Sequence, residues 1–159
     1  MRAPKLVQLM KTKSAEISEK LIEKIRASEK CADLFLRVPE SEHKQYALET
    51  FEDLIQWLGD EKDSIIEQRY VDLGFRRAGQ GVPLCQLSWA MAIARDCLWD
   101  YTQHECLLEE PVEFWGGLTL LRSLNSFFDR TLYFVLVGYE KAEKDKSAAL
   151  SFLAEKRSA

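Results

Sequence analysis

The sequence predicts an all-α protein: an antiparallel helical bundle of about five helices with a long C-terminal helix. Three observations carry this. Apolar residues recur at helical spacing through most of the chain. Seven Gly and four Pro are few and fall at a handful of places. No stretch shows sustained period-two alternation between Asn-Gly or Asp-Gly turns, and the most β-like run, Leu132 to Val137, lies inside a helical pattern.

The elements follow in order. Ile17, Leu21 and Ile25 share one face, with Glu16, Glu19, Lys20, Glu23 and Lys24 around the other, and Ser14 is a candidate N-cap. Pro39 interrupts near Arg37 to Ser41, and Ser41 is placed to cap the second helix. Tyr46, Ala47, Phe51, Leu54, Ile55 and Leu58 give that helix its apolar side. Gly59 stops it and Asp60 offers the next cap. The third helix carries Ile65, Ile66, Tyr70, Leu73 and Ala78. Gly79-Gln80-Gly81-Val82-Pro83 then breaks the pattern, and Pro83 suits the first turn of a fourth helix bearing Leu84, Leu87, Met91, Ala94, Leu98 and Tyr101. Pro111 opens the fifth, which runs from about Val112 toward Lys146.

From Leu118 a seven-residue spacing overlays this last helix. Its seam positions are Leu118, Leu121, Asn125, Phe128, Leu132, Val135, Tyr139, Ala142, Lys146, Ala149, Leu153 and Lys156. A polar seam residue such as Asn125 can fix register in a coiled coil. A core stripe of 3.6-residue period looks the same over the first half. Residues 140–159 are charged and thinly apolar. The chain therefore divides into a helical domain, residues 1–140, and a charged helical connector or tail, residues 141–159.

Composition narrows the function classes. The 159 residues suit one domain able to bury about 68–70% of its extended surface. With 47% hydrophobic and 30% charged residues the chain is an ordinary globular protein, not a disordered one. A net charge of −4 favours neither nucleic acid nor an anionic membrane as partner. The basic start, Met1 to Lys13, has an apolar run too short for a leader, and no window has the roughly 18 apolar residues of a spanning helix. A cytoplasmic location is expected. Cys31, Cys85, Cys97 and Cys106 lie far apart and read as buried or half-buried free thiols.

No catalytic signature emerges. There is no nucleophile elbow, no Glu-x-x-His pair for a di-metal bundle, and no phosphate loop at Gly79-Gln80-Gly81. Glu109-Glu110 and Glu140-Glu143 read as solvated helix ends. His43 and His104 lack the flanks of a phospho-acceptor box. No cofactor is expected, although His104, after the helix of Trp99 and Tyr101, is a conceivable haem ligand. Arg69, Arg76, Arg77 and Arg95 read either as salt-bridging surface residues or as a patch recognising an anion or partner. Trp89, Trp99, Trp115, Phe127 and Tyr133 read either as core or as the lining of a ligand pocket.

The run from Tyr70 to Leu87, with Ala90, Ala94, Arg95 and Trp99 after it, resembles the N-terminal domain of the RsbRD-type RsbT co-antagonist family. The family pattern is an Arg, a Gly-x-Pro-Leu turn, and a helix of small and apolar residues ending near an Arg and a bulky aromatic. Here the Arg is Arg76 or Arg77, and the turn is Gly81-Val82-Pro83-Leu84. Lys24-Ile25-Arg26 fits the family's first helix. The resemblance implies a sensory or regulatory input domain, found ahead of STAS domains in stressosome proteins and ahead of histidine-kinase modules. It implies no catalytic residue. Arg76, Arg77, Trp89, Arg95 and Trp99 are the candidate binding residues. Asn125, Phe128, Leu132, Val135 and Tyr139 are the candidate output face, on a helix expected to pair in a homodimer and to pass a signal to a kinase or STAS domain. The rival readings are a small-molecule or haem-binding globin-like sensor and a stand-alone helical-bundle enzyme.

Overall fold

The computed structural model describes residues 4–105 and 111–158, with side chains for 4–104 and 117–158. Among these residues seven α-helices account for nearly everything. They are α1 Pro4–Thr12, α2 Ser14–Ala27, α3 Ala32–Arg37, α4 Glu40–Gly59, α5 Glu67–Gly79, α6 Leu84–Glu105 and α7 Pro111–Ser158, with 3-10 turns at Glu29–Cys31 and Asp63–Ile65.

The five expected helices are α2, α4, α5, α6 and α7. Two more are present. The basic N-terminal stretch forms α1, because Leu6 and Met10 are sealed in the core. Short α3 precedes the Pro39 break, and Gln86 from distant α6 caps its start: Gln86 Oε1 accepts from the Asp33 and Leu34 amides at 2.9 and 3.3 Å.

The expected caps shift. Ser14 is the first residue of α2, and Lys13 stands at its N-cap. Pro39, with φ −58° and ψ 144°, is itself the last extended residue before α4, so Ser41 falls inside the first turn and does not cap. Asp60 is extended and pairs with Lys62 at 2.7 Å, and α5 starts only at Glu67, after the second 3-10 turn. Of the two glycines before Pro83, only Gly81 takes a positive φ, 75°. Pro83 ends the break: its carbonyl accepts from the Gln86 and Leu87 amides.

The core centres on Trp57, Tyr70 and Phe127, all fully buried. Tyr70 and Trp57 each meet the Phe127 ring edge-on, at 6.2 and 6.1 Å between centroids. Trp57 Nε1 donates to the Ser123 carbonyl at 3.2 Å, tying α4 to α7.

The closest pairing is α5 on α7. Pairs at the two ends of α5, Asp63–Arg130 and Val82–Tyr139, keep the same order on both segments, so the two helices run the same way. Their backbones touch at two glycines. A Cβ on Gly74 would overlap the Val135 carbonyl, and one on Gly138 would overlap the Val71 carbonyl. Ala78 and Ala142 follow one turn later on each helix. Beyond Ala142 the rest of α7 leaves the bundle: every residue from Glu143 to Ser158 is exposed, a helix of about 24 Å at 1.5 Å per residue.

Candidate functional site

The residues of the Arg–turn–helix motif gather at one end of α5. The turn closes because Gly81 reaches the left-handed region, which brings the Gly81 amide to the Ala78 carbonyl and the Val82 amide to the Arg77 carbonyl. The head of Arg37 lies over it, close to where a Gly81 Cβ would stand.

Of the two candidate motif arginines, Arg77 is the buried one. Arg77 is 3% exposed, and its Nη1 donates to Glu42 Oε2 at 2.6 Å and to Gln80 Oε1 at 2.8 Å. Gln80 Nε2 donates to Glu42 Oε2 at 3.1 Å, closing a three-residue ring between α4 and α5. Burial pushes the Glu42 carboxyl up, but hydrogen bonds from Gln80 and Arg77 and the charges of Arg77 and Arg76 outweigh it and hold it below the usual range. Arg76 is exposed.

The remaining arginines of the expected patch do not converge. Arg69 faces Glu49 and buried Asp53 on α4, at 3.4 and 3.3 Å. Arg95 lies 4.0 Å from Asp96 and 3.9 Å from Asp129, both exposed. Each has acidic neighbours, as the salt-bridge reading expects. Asp72, on the same helix as Arg69, accepts from Gln68 Nε2 at 2.8 Å.

The aromatic set also scatters. Trp89 is 42% exposed, with Lys30 Nζ 3.9 Å from its ring centre. Trp99 is half-buried and donates from Nε1 to Asn125 Oδ1 at 2.8 Å. Phe127 is core and Tyr133 is 61% exposed; Trp115 lies outside the described side chains. None of the other four lines the hollow described next.

That hollow, about 50 Å³, lies between α2, α3, α4, α5 and α6. His43, Arg77, Ala90 and Ala94 are among its walls. His43 is 9% exposed, stacks on Phe35 at 4.4 Å, and its Nε2 has no hydrogen-bond partner. Burial, and then the charge of Arg77, push its pKa down, so the ring is held neutral. His104 is a surface residue whose Nδ1 faces the Asp100 carbonyl at 2.8 Å.

The output face is largely engaged within the chain. Phe128 and Val135 are core, Leu132 packs against it, Asn125 holds Trp99, and Tyr139 Oη donates to the Val82 carbonyl at 2.7 Å. The first half of the heptad pattern is therefore a stripe facing its own bundle. Among the thiols, Cys31 and Cys97 are buried as expected, Cys85 is exposed, and Cys106 lies outside the described residues. Among the described residues no group of His, Cys, Asp or Glu is placed to hold a metal, and no helix is long and apolar enough to cross a membrane.

Sequence reasoning missed Glu42, Gln80 and Gln86. Arg77 and Glu42 lie 35 positions apart, and Gln86 lies 53 from Asp33, so no local spacing announces either contact.

The motif residues brace helices to each other, and the last helix runs out of the core, in an all-helical domain. The family comparison makes this particular. The chain belongs to the RsbT co-antagonist protein RsbRD N-terminal domain family, whose profile matches residues 15–150. That places it among the sensor and regulatory N-terminal domains of the stressosome proteins. No curated protein and no solved structure matches the chain.

Proposed function

We propose that residues 1–140 form the input domain of a cytoplasmic signalling protein, a stressosome-type regulator or a sensor histidine kinase. Residues 141–159 are its helical connector. The domain itself does no chemistry. It acts as a homodimer and passes its state through α7 to a kinase or STAS domain.

The observation that supports this is the change of surroundings along α7. Up to Ala142 the helix is part of the bundle; beyond it, Leu150, Phe152 and Leu153 stand 59, 57 and 53% exposed on a bare helix. Ala142, Ala149 and Leu153 continue the seven-residue seam, and a second copy of the same helix is the partner that such a seam fits. A difference of a few kcal/mol in packing between two states is enough to shift their populations.

Sedimentation of the 159-residue chain, beside a chain ending at Ala142, tests the dimer. The long form is expected to be a dimer at high micromolar concentration and the short form a folded monomer by circular dichroism. A monomeric long form, or a short form that still dimerises, would sink the α7 seam.

A further inference from the structure

We propose that the hollow between α2, α3, α4, α5 and α6 is a binding site for a small neutral ligand, largely apolar and only a few non-hydrogen atoms in size, whose one polar atom pairs with Nε2 of His43.

The hollow exists because short side chains face each other. Ala47 on α4 and Ala90 and Ala94 on α6 leave space that Leu21, Ile22 and Met91 border without filling. Ala90 and Ala94 sit four residues apart, on one face of α6. They are also the small residues of the motif, so the motif's small positions have a physical consequence here: they make a cavity.

Size and polarity set the ligand class. At about 50 Å³ the space is well below the roughly 150 Å³ that holds benzene. It is far too small for a porphyrin, which removes the haem reading from this site.

Water is a poor occupant. A buried water needs about two to four polar partners. Of the polar side chains on the wall, Thr50 Oγ1 donates to the Tyr46 carbonyl, the Tyr46 hydroxyl lies beside Thr50, and Arg77 Nη1 is held by Glu42 and Gln80. His43 Nε2 alone among them is buried and unpartnered. One unpartnered polar atom in a largely apolar wall is matched by a molecule with one polar atom, such as a short alcohol. A neutral imidazole suits a neutral ligand.

The site is also connected to the exit of the domain. Leu73 borders the hollow, and the next residue, Gly74, lies on the α7 backbone. A ligand that fills the space presses on the helix that grips α7. This last step rests on the input-domain reading above; binding itself does not.

The probes are xenon, for volume and apolarity, and ethanol, for the added hydroxyl, each titrated while methyl and ¹⁵N resonances are followed by NMR. Saturable shifts are expected at the Ala47, Ala90 and Ala94 methyls for both, and at His43 Nε2 for ethanol. Ala94→Leu should fill the space and weaken xenon binding at least ten-fold; Ala90→Val serves if that variant does not fold. Shifts that never saturate, an unchanged response in a folded filled variant, or an ordered water occupying the hollow in a crystal structure would overturn the site. Saturable binding that leaves the Gly138 and Tyr139 amides unmoved would uphold the site and count against its use as the domain's input. The dimer test above succeeds or fails independently of all these outcomes.

Discussion

The α5–α7 crossing yields the sharpest prediction, because two rules of glycine substitution oppose each other there. In an open helix, Gly→Ala stabilises by about 0.5–1 kcal/mol, since Ala has less backbone freedom to lose. Gly138 lies mid-helix, so local propensity alone predicts that Gly138→Ala helps. The tertiary contact predicts the reverse. A Cβ at Gly138 overlaps the Val71 carbonyl oxygen, stands 2.7 Å from its carbon, and is 3.0 Å from the Phe75 amide nitrogen. All three are backbone atoms of a helix, so no rotamer change relieves the overlap. The helices must part, and a gap of about 0.5–1 Å forfeits a quarter to a half of the dispersion energy of each contact along the seam. Overpacking costs about 1–3 kcal/mol where side chains can adjust, and a site walled by backbone belongs at the upper end.

Subtracting the propensity gain leaves a net loss of about 2 kcal/mol or more. For a chain of this size that is a fall in Tm of roughly 4–8 °C. Urea denaturation followed by circular dichroism reads it. Gly79→Ala is the matched control: its Cβ meets nothing within 4 Å, so it should be neutral or stabilising. Adding Gly74→Ala to Gly138→Ala should cost less than the sum of the two, because the first Cβ has already parted the helices. If Gly138→Ala is as stable as the parent while Gly79→Ala behaves as stated, the close approach is wrong.

Arg77→Met should lose about 3 kcal/mol, the low end for breaking a buried pair, because Glu42 keeps partial access to water. Arg77→Lys should recover little, since an ammonium lacks the fork that serves Glu42 and Gln80 together; equal stability of the Lys variant and the parent would show that the ring of contacts is unimportant. Asp53 makes a pH prediction. Burial pushes its carboxyl up to about 6, against the pull of Arg69, from an ordinary value of 3.8. Between those values the folded chain keeps a proton that the unfolded chain has released, so this group's contribution falls as pH rises from about 4 to about 6 and stays low above that. Asp53→Asn should therefore match the parent near pH 3 and exceed it at pH 7, by on the order of 1–3 kcal/mol; a gap that is the same at both pH values would refute the assignment.

How much of this was legible in the sequence differs by element. Ile17, Leu21 and Phe51 show helical period because α2 and α4 each bury one face, and Pro39 and Gly79–Pro83 break the chain where the pattern says. α1 was not legible, because its run from Leu6 to Met10 is short and becomes helical by packing Leu6 and Met10 into the core. The seam on α7 was ambiguous for a geometric reason. Periods of 3.5 and 3.6 residues diverge by only about 20° per heptad, so Phe128 and Val135 could face a partner or their own core; the structure puts them in their own core. For the site, the motif pointed to Arg76 or Arg77 without choosing between them, and not to Glu42, because Glu42 arrives from another helix. The aromatic residues were ambiguous through their chemistry: Trp89, Phe127 and Tyr133 are of a type that serves core, surface and pocket alike, while the hollow is bordered by alanines, which carry no signal of a cavity.

The two halves of α7 are linked by the physics of helix formation. From Glu143 to Ser158 the helix buries nothing, and its described side-chain contacts are local ones, such as Lys156 over the Phe152 ring and Ser158 to the Ala154 carbonyl. An isolated helix this short is marginal in water, because the first turn fixes several residues for a single hydrogen bond. Extending an existing helix avoids that nucleation penalty. The tail is helical because Val135 to Ala142 already are, and those residues are held by Gly74, Val71 and the Tyr139–Val82 bond. Loosening the Gly74–Gly138 crossing thus weakens one of the contacts that hold this template. On the input-domain reading proposed above, a change in the bundle would reach the far end of α7 as a change in how much of it is helix. Gly138→Ala should therefore lower the helicity of residues 143–158 well below its midpoint of unfolding, seen as Cα chemical shifts moving toward coil values. Tail shifts that stay helical while the seam opens would separate the two events and remove this route for a signal.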